Sequence, residues 1–278
     1  MHAAPLIHAN GAAIPALGLG TYDLRGPAGA SAVAFALGQG YRHIDTAAIY
    51  DNERAVGEGL RASGVKRDDI FVTTKVWYDQ LGRGALQAAA EASLKRLGLA
   101  QVDLLLIHWP SRSIPLDETM AALCEAKRRK LTKHIGVSNF PAALLDRAAR
   151  LSTEPLVANQ CEYHPWLDQT KLIAACARHG AAFVSYTPLA HGDLLTDPTV
   201  MRLSAAHGKT PAQIVLRWHM QQPGIAAIPK SGHEARIAEN LNVFDFALSA
   251  ADMQALSALR RDDGRINKPP FAPVWDAE

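Results

Sequence analysis

Cysteine is scarce: three in 278 residues, Cys124, Cys161 and Cys176. An odd, widely spaced set with no C-x-x-C pair and no zinc-ligand spacing argues against a disulfide framework or a structural zinc, and for reduced thiols in the cytoplasm. An excess of charge is lacking too. Lys plus Arg number 29 against 27 Asp plus Glu, a formal charge of +2, so no field is strong enough to draw nucleic acid or an anionic membrane surface. No apolar run approaches the length of about 18 residues that a membrane helix needs. The opening MHAAPLIHANG has neither the basic region nor the apolar stretch of an export signal. A cytoplasmic protein without a membrane span is expected. Linkers, low-complexity runs and charge blocks are missing as well. At 48% hydrophobic the chain can bury one large core, so residues 1–278 are expected to form a single domain.

What is present is an alternation. A hairpin is expected around Asn10-Gly11, a pair that tolerates positive φ in a two-residue turn. Beyond it, short apolar runs at 16–19, 43–45, 70–75, 102–108, 134–138, 158–162, 182–186 and 225–229 read as strands. Segments of helical period lie between and after them, at 31–39, 52–63, 86–97, 116–130, 142–151, 168–179, 211–222 and 234–243. Gly40, Gly64, Gly98 and Gly180 stand just past four of these, as helix stops do. Runs such as DLLLIHW and AAFVSY do not alternate polar with apolar, so both faces of each strand are expected to be buried. Eight strand-then-helix units close most naturally into an α/β fold of the (β/α)8 TIM barrel type. One extra helix, 250–259, and a Pro-rich tail, 260–278, fall outside the repeat.

In such a barrel, chemistry sits at the C-terminal ends of the strands. The second run closes with Asp45, with Tyr50 in the loop behind it; the third closes with Lys75, and the fourth with His108, followed by Trp109. Taken singly, an Asp at a strand end is a loop cap and a His is a satisfied core residue. Together they are harder to dismiss, because a buried Lys beside Asp and Tyr is costly unless the three form one hydrogen-bonded network with a use. An ammonium beside a phenol favours the phenolate, and is expected to lower the tyrosine pKa from about 10 towards the working pH, which suits a general acid.

A metal-dependent hydrolase would need His and carboxylate ligands clustered at the same strand ends, whereas His43 and His134 stand at strand beginnings; no metal site is expected. The segment GLGTYD, Gly18 to Asp23, begins like a dinucleotide fingerprint but has Asp23 where G-x-G-x-x-G needs its third glycine, which excludes a Rossmann loop. Lys230, Ser231 and Arg236 stand where the last strand meets its helix, a place where cations, a hydroxyl and helix amides favour a phosphate. The plainer alternative for Lys230 and Arg236 is a solvated helix face. Tyr22, Trp77 and Trp109 follow the first, third and fourth strands and are expected to wall a pocket, with core packing the alternative for any one of them.

Five blocks, in order along nearly the whole chain, resemble the aldo-keto reductases: GYRHIDTAAIYDNE (Gly40 to Glu53), TTKVW (Thr73 to Trp77), DLLLIHWP (Asp103 to Pro110), IGVSNF (Ile135 to Phe140) and IPKS (Ile228 to Ser231). The resemblance implies reduction of a small carbonyl compound by NADPH. Tyr50 would be the proton donor, Lys75 would perturb it, Asp45 would hold Lys75 by an ion pair, and His108 would orient the substrate carbonyl. Relatives that reduce a carbon-carbon double bond have Glu where His108 stands. The resemblance further implies that Ser138, Asn139 and Gln160 hold the nicotinamide amide and that Tyr186 stacks on its ring. Gly20, Thr21, Tyr22, Pro188 and Leu189 would contact the cofactor elsewhere. Lys230, Ser231 and Arg236 would grip the 2′-phosphate, with Glu239 and Asn240 near the adenine. Substrate would meet Tyr22, Tyr50, Trp77, His108 and Trp109. Short loops at 111–114 and 187–198 predict an open, shallow pocket; with EYHPWLDQ and APVWD they look most like the bacterial 2,5-diketo-D-gluconate reductases, which also reduce methylglyoxal. A monomer is the family's habit. Some proteins of this fold bind NADPH chiefly to regulate a partner; the intact tetrad argues against that sensor reading.

Overall fold

The computed structural model describes residues 4–276; residues 1–3, and residues 277–278 at the end of the expected tail, lie outside the described residues. Strands β1 (Leu6–Ala9) and β2 (Ala12–Pro15) form the antiparallel hairpin, turning through Asn10 and Gly11, both at positive φ. The two-residue turn needs that conformation.

Eight parallel strands follow, each paired with the next in sequence order: β3 (Leu19–Gly20), β4 (His43–Asp45), β5 (Phe71–Val76), β6 (Val102–Ile107), β7 (Thr132–Ser138), β8 (Leu156–Glu162), β9 (Ala182–Tyr186) and β10 (Ile225–Ala227). The two edges meet. Gly18 N donates to Ala227 O at 2.9 Å, Ala227 N to Ala16 O at 2.8 Å, and Gly20 N to Pro229 O at 3.0 Å. A Cβ on Gly20 would lie 2.6 Å from the Ile228 carbonyl oxygen, so the seam closes only on glycine. Bonds cross this seam singly, and the first and last strands are accordingly shorter than the apolar runs 16–19 and 225–229 suggest.

Helices α1 (Gly26–Gln39), α2 (Glu53–Ala62), α3 (Ala85–Leu97), α4 (Leu116–Arg128), α5 (Ala142–Leu151), α6 (Thr170–Arg178), α7 (Pro198–His207), α8 (Pro211–Met220), α9 (Glu234–Leu241) and α10 (Ala250–Ser257) complete the chain. Two of them, α7 and α10, stand outside the eightfold repeat, where the sequence reading has one. The signals for α7 are local: the Asp197 side chain accepts from Thr199 N at 2.8 Å, Pro198 occupies the first turn, and Gly208 ends the helix at φ 60°. Its apolar face is short, with only Val200 and Leu203 buried, which is why periodicity passes over it.

The strands are buried on both faces. Leu104, Leu106, Ala182, Val184, Ala226 and Ile228 point into the barrel, while Leu105, Ile107, Phe183 and Ile225 pack under the helices. Ala9, Ala12 and Ile14 of the hairpin join the inner cluster. Asn10 Nδ2 donates to Leu156 O at 2.7 Å and His179 O at 2.8 Å, at the start of β8, so the hairpin closes the floor and leaves the C-terminal strand ends as the open face. Cys124, Cys161 and Cys176 are buried free thiols. Among the described residues, no helix is long and apolar enough to cross a membrane, and no group of three or more His, Cys, Asp or Glu is placed to hold a metal ion.

Candidate active site

The ends of β4 and β5 place Asp45 and Lys75 side by side within the barrel mouth, both buried. Lys75 Nζ donates to Asp45 Oδ1, to Thr46 O at 2.8 Å and to the Tyr50 hydroxyl at 3.5 Å. It also lies 5.0 Å from the centre of the Tyr50 ring. Burial pushes the Lys75 ammonium towards neutrality, and the Asp45 charge, with Tyr50, more than restores it, so its pKa stands above the ordinary value. A charge taken out of water has here the partners it requires.

Tyr50 ends a single 3-10 turn, Ala48–Tyr50. The next residues hold that turn in place. Thr46 Oγ1 donates to Asn52 Oδ1 at 2.8 Å, and Asn52 Nδ2 donates to Thr21 O at 2.6 Å and Leu24 O at 3.0 Å, pinning the loop after β4 to the loop after β3. Glu53 accepts from Thr74 Oγ1 at 2.6 Å and from Arg96 Nε at 2.7 Å. Asn52 and Glu53 are positioning residues that the sequence reading did not single out, although both stand inside the block that carries Tyr50.

The expected direction of the Tyr50 shift needs correction. Lys75 does pull the phenol down, but burial is the larger influence, and the pKa is raised above 10.0. Depth in the mouth decides this, and depth is not written in residue spacing. The phenol therefore keeps its proton at neutral pH.

His108 follows β6, its backbone N donating to Val76 O at 2.9 Å and its carbonyl accepting from Asn139 Nδ2 at 2.9 Å. Its ring stands edge-on to Tyr50 at 5.5 Å and to Trp77 at 5.0 Å, and Nδ1 is buried without a hydrogen-bond partner. Burial first, and then Lys75, hold its pKa well below 6.5, so the imidazole is neutral. Thus Asp45, Lys75, Tyr50 and His108 converge.

Ser138, Asn139, Gln160 and Tyr186 form a second mesh beside them. Ser138 Oγ donates to Gln160 O at 2.7 Å, Asn139 Nδ2 to Ser138 Oγ at 3.0 Å, and the Tyr186 hydroxyl to Asn139 Oδ1 at 2.8 Å. Gln160 Nε2 donates to Asp45 Oδ2 at 2.7 Å, joining this mesh to the ion pair. Gln160 Oε1 and one Nε2 hydrogen remain outside the mesh, an acceptor and a donor of the kind a carboxamide needs.

Thr21 is buried, with both its N and its Oγ1 donating to Asp45 O, and Gly20 lies in the seam. Tyr22 is exposed and edges onto Tyr50 at 5.2 Å. Pro188 is buried and Leu189 half-buried after β9. At the far side, Lys230 and Arg236 are exposed around the buried Ser231, beside the start of α9. Glu239 accepts from Thr210 Oγ1 at 2.8 Å, and Asn240 is buried. The pocket wall contains more than Trp77 and Trp109. Phe271, from the tail, lies 5.4 Å from Trp77 and 5.5 Å from Trp109, and Trp275 lies 6.4 Å from Trp109.

A parallel eight-stranded barrel with a Tyr–Lys–Asp line and a neutral His at its open end has the form of a nicotinamide-dependent barrel reductase. The model of the aldo/keto reductase family matches residues 16–261, and the chain belongs to that family. It is 42% identical over 267 residues to methylglyoxal reductase DkgB of Escherichia coli O157:H7, covering 95% of this chain and 100% of that protein. A crystal structure assigned to 2,5-diketo-D-gluconic acid reductase B superposes with a TM-score of 0.95 at 44% identity, covering 98% of both chains. A variant of Gox0644 solved in complex with NADPH superposes at 0.89 with 38% identity, covering 99% of this chain and 100% of that one.

Proposed function

We propose that the protein reduces a small aldehyde or ketone to the alcohol with NADPH, and that Tyr50 delivers the proton. The observation that carries the reading is the hydrogen-bonded line Asp45–Lys75–Tyr50 with His108 beside it at the open strand ends. The family supports carbonyl reduction, and the relatives' names point to methylglyoxal or 2,5-diketo-D-gluconate as the kind of substrate.

The residues present fit the cofactor. Gln160 offers a carboxamide-sized donor and acceptor, Tyr186 a half-exposed ring, and Lys230, Ser231 and Arg236 two cations and a hydroxyl for a phosphate. Bound NADPH supplies a hydride to the carbonyl carbon.

The chain's own part is to receive the charge that develops on the carbonyl oxygen. Tyr50, protonated because burial outweighs Lys75, donates its proton to that oxygen. The phenolate left behind is met by the Lys75 ammonium, which Asp45 and Thr46 O hold in place. His108, being neutral, orients the carbonyl by one N–H without competing as an acid. With three unpaired buried thiols, the cytoplasm is the compartment this reading assigns.

The test is loss of NADPH absorbance with methylglyoxal, 2,5-diketo-D-gluconate and an aromatic aldehyde, for the natural protein and Tyr50→Phe. Removal of the general acid should lower kcat roughly 10²- to 10⁴-fold while NADPH still raises the melting temperature. NADPH binding without turnover on any carbonyl would instead support a sensor.

A further inference from the structure

The C-terminal tail carries a cation whose burial the fold does not explain. Arg261 N donates to Trp166 O at 2.9 Å, and a Cβ on Gly264 would stand 1.9 Å from that same oxygen. The Glu162 carboxylate accepts from Ile266 N at 2.6 Å, Asn267 N at 2.8 Å and Asn267 Nδ2 at 2.9 Å. Between these anchors lies Arg265, 8% exposed. Its guanidinium carbon stands 3.6 Å from the centre of the Trp275 ring, a stacked cation–π contact.

The charge is otherwise unmet. Among the described residues Arg265 makes no ion pair; its Nη1 is buried without an acceptor, and so is the Nε1 of the Trp275 indole beside it. Arg67 and Arg96, both more exposed, have carboxylates at 2.7 Å and 2.6 Å. A buried guanidinium normally finds such a partner, because desolvation is costly without one. Two neighbouring donors, one of them charged, define a place for an anion.

That place borders the active site. Glu162, which fixes the tail, and Tyr186 are paired on the last rungs of β8 and β9. The Arg265 charge reaches Tyr186, easing a phenol that burial drives well above its ordinary value. On the other side Trp275 adjoins Trp109, which with Phe271 and Trp77 forms the aromatic wall next to His108.

We propose that Arg265, with the Trp275 indole N–H, recognises a carboxylate on the substrate, so that the preferred substrates are short oxo acids rather than neutral aldehydes. The planar guanidinium matches a carboxylate through paired hydrogen bonds, and stacking on Trp275 fixes its orientation. This inference rests on the carbonyl-reductase reading and names the substrate class of that same site. A phosphate of the cofactor has the same chemistry, and the test separates the two sources.

The experiment compares kcat/KM of the full-length protein for 4-carboxybenzaldehyde and its methyl ester, and for succinic semialdehyde and its methyl ester, with KM for NADPH measured alongside. The natural protein should favour each acid roughly 10- to 100-fold. Arg265→Met should collapse that ratio through KM for the acids while KM for NADPH holds, and Arg265→Lys should keep part of it. Should Arg265→Met fail to fold, the acid–ester ratio of the natural protein and its decrease in Trp275→Phe decide the matter. Brisk turnover of acids and esters alike would overturn the proposal and leave carbonyl reduction standing. A rise in KM for NADPH with an unchanged acid–ester ratio would assign the anion to the cofactor and equally overturn it. Absence of turnover on every carbonyl would remove the reductase reading and this proposal with it.

Discussion

Replacing Asp45 by Asn removes one charge and almost no volume, so it isolates what the ion pair does. Lys75 is fully buried, with its ammonium donating to Asp45, Thr46 O and the Tyr50 hydroxyl. Once Asp45 is neutral, the two remaining acceptors are uncharged. Breaking a buried pair from one side costs about 3–5 kcal/mol, a large part of the roughly 5–15 kcal/mol that holds a folded protein. At about 2–4 °C per kcal/mol for a chain of this size, the melting temperature at pH 7 should fall by roughly 6–20 °C.

The dependence on pH has a definite sign. In the natural protein Lys75 is held above its ordinary value of 10.5, so the stability its charge contributes is fully present below 10.5 and is lost only as pH rises through the raised value. In Asp45→Asn, burial is left with little opposition and drives the pKa of Lys75 down. Its penalty should therefore shrink between pH 7 and pH 9, where the natural protein gains nothing from this group. Adding Lys75→Met removes the orphaned charge and should recover most of the lost stability, while turnover stays lost in both variants. Thermal unfolding at the two pH values, without NADPH, reads the first effect, and NADPH oxidation reads the second. A single variant melting within about 2 °C of the natural protein at pH 7, or a double variant less stable than the single, would refute the reasoning.

Arg236→Ala should weaken NADPH binding roughly 10- to 100-fold and NADH binding far less, because only NADPH carries the 2′-phosphate; equal losses in a fluorescence titration would remove Arg236 from that role. His108 is held neutral by burial and by Lys75, so kcat/KM should show no histidine inflection between about pH 6 and 8, and an inflection near 6.5 that vanishes in His108→Gln would contradict this. Glu162 is depressed: burial opposes its charge, but His164, Ile266 and Asn267 overcome it. The stability it gives the tail is present above the ordinary carboxylate value of 4.5 and is lost as pH falls through the lowered one. Glu162→Gln should therefore speed tryptic cleavage of the tail at neutral pH, at Arg261 or Lys268, and an unchanged rate would show that the tail is held elsewhere.

Asp45, Lys75 and His108 are legible in the sequence because each closes a strand or stands one residue past it, and a barrel sends all strand ends to one face. The hairpin is legible from Asn10-Gly11, and the two-sided burial from runs such as DLLLIHW. The tail is another matter. Phe271, Trp275 and Arg265 reach the site across the whole chain, as when Arg112 Nη2 donates to Ala272 O across 160 positions, and no periodicity marks such contacts. Asn52 and Glu53 are hidden for a different reason. They act through the residues they hold, and their own types read equally well as a helix start.

The raised Tyr50 pKa and the Gln160–Asp45 bond together bear on when the proton moves. A phenol raised by burial keeps its proton until negative charge appears on the carbonyl oxygen, and the nearby ammonium then makes the phenolate tolerable. That ammonium depends on Asp45, whose second oxygen is fixed by Gln160, the residue left with free donor and acceptor capacity beside Ser138 and Asn139. A carboxamide held by Gln160 would thus share a side chain with the carboxylate that sets the charge on Lys75. Cofactor placement and proton delivery meet at Gln160, and a change there should alter both KM for NADPH and the pH profile of turnover, where a residue serving the cofactor alone would alter only the first.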